Sequence, residues 1–78
     1  MNMLTKFFAD RRERRVAVQY MRGYQYAAGA LLAGDTTDTL RTLTDNSRAH
    51  GDFGPFDRGI EQACLAWTAH NRKQRRRP

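Results

Sequence analysis

Several features that would identify a class of protein are absent or rare in this sequence. The chain has a single cysteine, Cys64, so it cannot form an internal disulfide bond. Neither a CxxC pair nor a His/Cys cluster with the spacing of zinc ligands occurs. We therefore expect no metal and no other cofactor, and the cysteine usage is typical of a reducing, cytoplasmic environment.

No hydrophobic run is long enough to cross a membrane. The apolar residues of the first stretch, MNMLTKFFADRRERR, are few and are followed at once by charge, unlike those of a signal peptide. We therefore expect a soluble, unsecreted, cytoplasmic protein without a membrane span.

Residue patterns that support catalysis are also missing. His50 and His70 accompany no nucleophile motif, and the phosphate-binding patterns GxxxxGK[ST] and GxGxxG do not occur. Cys64 falls on an apolar helical face, where we expect an inert thiol with a raised pKa. Asp57 and Glu61 have a spacing that would suit a cation, but the helix dipole explains Asp57 better. We expect that the protein is not an enzyme.

Positive charge, in contrast, is abundant. Fourteen Lys and Arg residues against eight Asp and Glu give a net charge of +6 and a pI near 10.5. The basic residues are densest in RRERR near the N-terminus and in RKQRRR near the C-terminus. This balance favours anionic partners, such as nucleic acid, an acidic protein surface or membrane head groups.

The stretch VAVQYMRGYQYAAGALL, from Val16 to Leu32, is the strongest helical signal. Its apolar side chains share one wide arc of a helical wheel: Val16, Ala17, Tyr20, Met21, Tyr24, Ala27, Ala28, Leu31 and Leu32. Tyr26 lies outside the arc, beside Arg22, so we expect an exposed aromatic. Small residues line one edge, where another helix backbone can come close: Gly23, Ala27 and Ala30. Gly34 then ends the helix.

The chain before this helix can be arranged in two ways. Leu4, Phe7 and Phe8 have the spacing of an amphipathic turn, but a straight extension of the helix would place them far from its apolar arc. Either Asp10 and Glu13 form a capping box that begins the long helix, with a separate helical turn before it, or the helix runs straight through. In the second case the three apolar side chains face a partner. We favour the first arrangement.

Two more helices are predicted. The cluster DTTDT at 35–39 supplies N-cap residues for a short helix over about 37–47, with Leu40 and Leu43 on its buried edge. The stretch NSRAHGDFGPF is predicted to be a loop from which Phe53 enters the core. Pro55 begins the last helix. Its apolar stripe consists of Phe56, Ile60, Ala63, Cys64 and Trp67, with Gly59 and Ala66 at the edge and Leu65 pointing the other way.

The two long helices share a short sequence similarity. Arg22-Gly23-Tyr24 matches Arg58-Gly59-Ile60, and the register then pairs further apolar residues. This indicates either a duplicated helix or the same need for a small residue at a close helix crossing.

Together these patterns predict one all-α domain over residues 1–78, a small three-helix bundle in which two long helices pack together beside a short middle helix. A basic N-terminal segment and a frayed, Arg-rich tail over 72–78 flank it. The core is thin for so short a chain, so we expect stability to be supplemented by a dimer interface or a bound partner.

The order RGYQYAAGALLAG, a Thr/Asp cap and FDRGIEQACLAW, spanning Met21 to Trp67, resembles very small helical proteins from the early and accessory gene regions of tailed bacteriophages. The resemblance rests on helix-packing residues and implies no catalytic ones. It implies a protein that binds one component of the bacterial host cell and alters or blocks it.

Three hypotheses follow. The first is a non-enzymatic binding protein that modulates or inhibits a host protein, for host takeover or counter-defence, by occupying its acidic or nucleic-acid-binding surface. The second is sequence-tolerant nucleic-acid binding by the basic termini, and the third is a self-assembling homodimer. The candidate partner-binding residues are Arg11, Arg12, Arg14, Arg15, Arg22, Tyr26, Leu65, Arg72, Lys73, Arg75, Arg76 and Arg77.

Overall fold

The structure is a computed structural model that describes the backbone of residues 3–75 and the side chains of residues 12–72. Three α-helices make up this part of the chain: α1 (Met3–Leu32), α2 (Thr37–Ala49) and α3 (Pro55–Arg75). No strand occurs between residues 3 and 75. The predicted all-α fold, with two long helices and a short middle one, is confirmed.

The first helix is continuous over 30 residues. The prediction that Asp10 and Glu13 begin it, after a separate N-terminal turn, is wrong, because the helix runs straight through both positions. No Gly or Pro occurs in it before Gly23, so the backbone meets no residue that would stop it. The side chains of Leu4 and Phe7, like that of Phe8, lie outside the described residues.

A left-handed glycine ends α1, as predicted. Gly34 has a φ of 109°, and its N–H donates to the carbonyl of Leu31 at 3.2 Å. The next N–H, of Asp35, donates to the carbonyl of Ala30 at 2.9 Å. This pair of bonds is a Schellman motif, which satisfies two of the carbonyls left free at the helix end and reverses the chain.

The second helix begins where the sequence predicted. Thr36 is its N-cap, and its hydroxyl accepts a hydrogen bond from the Thr39 N–H at 3.2 Å. The helix continues to Ala49, so the first four residues of the predicted loop are helical. Gly51, whose φ is 73°, follows the end of the helix, and the loop is shortened to residues 50–54.

The third helix is the centre of the fold, because both other helices pack mainly on it. Since the chain reverses twice, α3 runs parallel to α1 and antiparallel to α2. The end of α1 lies near Trp67 and Asn71, whereas its middle lies near Phe53 and Pro55. The core at these contacts consists of Ala27, Leu31, Leu40, Ile60 and Ala63.

The sequence predicted small residues at a close helix crossing, and the structure places glycines at such a crossing. Gly23 and Gly59 are both buried where α1 crosses α3. A Cβ on Gly23 would overlap the backbone carbonyl of Phe56, and a Cβ on Gly59 would overlap that of Tyr20. Glycine is therefore required at both positions. This close packing explains why the two helices share a glycine at matching positions of their similar sequences.

The core is narrower than the apolar stripes predicted. On α1, Val16, Met21 and Leu32 are exposed, because α3 covers only the side of α1 that carries Gly23 and Ala27. Other members of the arc are half-buried: Tyr20, Tyr24 and Ala28.

Two aromatic residues and a leucine are also less buried than predicted. Phe56 is 39% exposed, since it lies on the first turn of α3 at the edge of the crossing. Phe53 is half-buried, with the Arg48 guanidinium 4.3 Å from its ring centre, and does not enter the core. On α2, Leu43 is 41% exposed and Thr44 takes the expected place beside Leu40.

The described chain ends in helix. α3 continues to Arg75, so residues 72–75 of the predicted frayed tail are helical, and residues 76–78 lie outside the described range. Between residues 3 and 75, no helix combines the length and the apolar character needed to cross a membrane.

Candidate binding surfaces

The N-terminal half of α1 extends past the start of α3. The turn that leads into α3, Phe53 to Pro55, lies beside Val16 and Tyr20. Before that point no other helix of the described chain lies alongside α1, and every side chain from Arg12 to Gln19 is exposed. The projection also accounts for the elongated dimensions of the molecule, 59 × 30 × 18 Å.

One face of this helix combines arginines with apolar side chains. A shallow depression is lined by Arg14, Arg15, Val18, Gln19 and Arg22. Tyr26 lies one helical turn further along, on the same side. We call these six residues the α1 strip. All six residues are exposed: the three arginines and Val18 lie away from the side of α1 that carries Gly23 and Ala27 and faces α3, whereas Gln19 and Tyr26 lie nearer to that side.

An aromatic pair closes the α1 strip at its C-terminal end. The rings of Tyr26 and Phe56 lie 5.9 Å apart between centroids, tilted by 43°. Both values are typical of a favourable aromatic pair. Tyr26 nevertheless keeps 51% of its surface exposed, as the sequence predicted.

Among the described side chains, the arginines of the α1 strip have no carboxylate partner. Within residues 12–72 one ion pair occurs, and it joins Arg48 to Glu61 between α2 and α3. Six of the eight acidic residues fall between residues 35 and 61, outside α1. Arg15 and Arg22 therefore present their charge to solvent. An anionic partner could bind them without first breaking an ion pair between described residues.

The structure does not bring the two basic stretches together. Because α1 and α3 are parallel, the start of α1 and the end of α3 lie at opposite ends of the molecule. Arg12 belongs to the exposed projection, but Leu65 and Arg72 line a different groove, between α2 and α3. The side chains of Arg11, Lys73, Arg75, Arg76 and Arg77 lie outside the described residues.

The polar residues considered for catalysis have structural partners. Asp57 accepts hydrogen bonds from the Ser47 hydroxyl at 2.8 Å and from the Gly54 N–H at 3.1 Å, which caps α3. The His50 ring Nδ1 lies 2.7 Å from the carbonyl of Asn46. Among the described residues no cluster of His, Cys, Asp and Glu could hold a metal ion.

Burial raises the pKa of the Cys64 thiol, as expected for an apolar helical face. The nearby Arg41 guanidinium acts in the opposite direction and lowers this pKa, while the Glu61 carboxylate adds a smaller increase. Cys64 is therefore a weakly nucleophilic thiol at neutral pH.

Sequence reasoning missed three residues of these surfaces. Val18 could have been found, because it occupies the face of α1 opposite Gly23. The wheel position of Phe56 fits the core stripe, and only the place where α1 crosses α3 exposes it. Arg41 gives no sequence signal, since its position depends on how α2 packs on α3.

Comparisons of the chain with protein-family models, with curated proteins and with solved structures find no match. The resemblance to small phage proteins stays a prediction, and function is argued from the surfaces described above.

Proposed function

We propose that this chain is a non-enzymatic binding protein whose α1 strip docks on an acidic surface of a partner protein. The observation that carries the proposal is the strip itself: arginines that have no carboxylate partner among the described side chains lie beside exposed apolar side chains on α1.

The composition of the strip favours a protein as the partner. Arginine and tyrosine are enriched among the residues that dominate binding energy at protein interfaces. Val18 and Tyr26 are about half exposed, at 48% and 51%, and provide apolar area between the charges. A surface that binds only the phosphates of nucleic acid would have no use for this apolar area.

The projection of α1 supports the same conclusion. A helix without neighbours is marginal in water, because most helical stability in proteins comes from packing one face. A partner that covers Arg14 and Arg15 would pack against the part of α1 that has no neighbouring helix among the described residues. The arginines would then gain charge-assisted hydrogen bonds to carboxylates.

The phage resemblance suggests where such a partner is found. We propose that it is a host protein in the bacterial cytoplasm and that binding alters or blocks its activity. Because every charged side chain of the strip is positive, the suitable target is a host protein with an acidic surface patch.

The proposal can be tested by affinity capture from nuclease-treated bacterial lysate. The charge-reversed variant R15E/R22E removes the centre of the strip. R58E is a control for charge reversal elsewhere, because Arg58 is exposed on α3 outside the strip. We expect the wild type and R58E to retain the same host protein and R15E/R22E to lose it.

Two results would contradict the proposal. Retention of the same protein by R15E/R22E would show that the strip is not the interface. Loss of all capture on nuclease treatment, together with binding to added DNA that weakens steeply with salt, would replace the protein partner by nucleic acid.

A further inference from the structure

A groove separates α2 from α3, and no described residue of α1 lines it. Its volume is about 370 Å³. Leu40 and Ile60 form its floor and are almost fully buried, while Cys64 is half-buried beside them. Leu65 rises at the rim with 62% of its surface exposed, so the groove has an apolar floor and one large apolar side chain free to make contact.

Charge is distributed unevenly along this groove. At one end Arg48 is paired with Glu61, which leaves that end close to neutral. At the other end the lining includes Arg41 from α2 and Arg72 from α3, and neither has a carboxylate partner within residues 12–72. Asp45 also lines the groove and offsets part of this charge. Three arginines then face two carboxylates, and because Arg48 is paired with Glu61, the one excess positive charge lies toward the Arg41 and Arg72 end.

The backbone around the groove restricts what can bind. Both walls are α-helices, whose backbone N–H groups are already used inside the helices. An extended peptide would therefore find no ladder of donors and acceptors, whereas a helix satisfies its own backbone. From Glu61 to Arg72 the groove runs about 16 Å, the length of about three helical turns.

We propose that the α2–α3 groove binds an amphipathic helix of a partner protein, with its apolar face against Leu65 and Cys64 and an acidic end against Arg41 and Arg72. The geometry is that of a helix laid into a groove between two others, which adds a fourth helix to the bundle. The proposal uses no residue of the α1 strip, so either can fail without the other.

Charge complementarity favours an amphipathic helix with an acidic end over a second copy of the same chain. Each terminal segment of this protein is strongly basic, so its long helices would bring like charge to Arg41 and Arg72. A helix with Glu or Asp at one end places carboxylates against both guanidinium groups, where paired charges exclude wrong partners and fix the orientation of the helix.

Cys64 makes the test direct, because it is the single cysteine of the chain and lines the groove. The rate of its alkylation by iodoacetamide is measured while a synthetic helical peptide is added. The probe carries leucine on one face and glutamate elsewhere, and a control peptide has lysine in place of every glutamate. We expect the glutamate peptide to slow alkylation saturably, by about tenfold, and the lysine peptide to leave the rate unchanged.

Two variants locate the effect. In R41Q/R72Q the protection by the glutamate peptide should be lost, while circular dichroism shows the fold intact. In R15E/R22E, which alters only the α1 strip, protection should remain. Equal protection by both peptides, undiminished protection in R41Q/R72Q, or no protection at any peptide concentration would each overturn the proposal.

Discussion

Gly59 of α3 lies directly against the backbone carbonyl of Tyr20 on α1. Gly23 has the reciprocal relationship with Phe56, so each glycine faces the residue three positions before the other glycine. The two parallel helices therefore cross with a local twofold symmetry at the point where neither carries a side chain. Backbones this close gain many dispersion contacts, which matters for a chain with so small a core.

Substituting either glycine should separate the helices. We expect G59A and G23A each to lower the free energy of unfolding by about 1–3 kcal/mol, because the new methyl group meets rigid backbone. G29A is the matched control, since a Cβ on Gly29, also in α1, would meet no atom within 4 Å. It should raise stability by about 0.5–1 kcal/mol through helix propensity. Urea unfolding measures all three, and a G59A protein as stable as G29A would contradict the close crossing.

The two leucines of α2 should differ sharply. Leu40 is 1% exposed and Leu43 is 41% exposed, although both were predicted to face the core. L40A should therefore cost about 2–5 kcal/mol, since it removes buried methyl groups and leaves a cavity. L43A should change stability by no more than about 0.5 kcal/mol. Similar losses for both variants would mean that α2 is rotated about its axis.

The difference between Leu43 and Thr44 shows a limit of sequence patterns. The hydrophobic pattern of α2 predicts that Leu43 is buried. The face of α2 that packs on α3 instead carries Thr44, which is buried. Its hydroxyl donates to the carbonyl of Arg41 at 2.9 Å, so a buried threonine is satisfied within its own helix. A hydrogen bond within the helix offsets the free-energy cost of burying a hydroxyl group, so a polar residue can occupy a core position.

Elements with strong local signals were predicted well. Thr36, Gly34 and Pro55 mark helix ends through side-chain or backbone chemistry that depends on few neighbours, and all three lie where predicted. The start of α1 was not, because the capping pattern of Asp10 and Glu13 falls inside a helix that already begins at Met3. The candidate surfaces could be predicted only in part. The exposure of Tyr26 follows from its position on the helical wheel, whereas the α2–α3 groove depends on tertiary packing.

The cap of α3 should contribute measurably to stability. Asp57 accepts from the Gly54 N–H and from the Ser47 hydroxyl, so it fixes the helix end to α2. D57A should lower the free energy of unfolding by about 1–2 kcal/mol. The control is D52A, an exposed loop position, with an expected change within about 0.5 kcal/mol. Thermal or urea unfolding distinguishes them, and equal effects would contradict a capping role.

The pH dependence of Cys64 reports its environment. Because burial raises the pKa of this thiol and only the thiolate reacts, alkylation of the folded protein should begin at higher pH than alkylation of the urea-unfolded chain. The neutral thiol is favoured in the folded state. Its contribution to stability is therefore full below the pKa of the unfolded thiol and is lost as pH rises through the folded pKa.

Two substitutions should move this alkylation profile in opposite directions. R41Q removes the positive charge that lowers the Cys64 pKa, so the profile should shift to still higher pH. E61Q removes a negative charge that raises it, so the profile should shift to lower pH, by less than the effect of burial. The measurement is the initial rate of alkylation across alkaline pH at constant ionic strength. If both variants shifted the profile in the same direction, Arg41 and Glu61 would not have opposite effects on the Cys64 pKa. The charge distribution described for the α2–α3 groove would then be wrong.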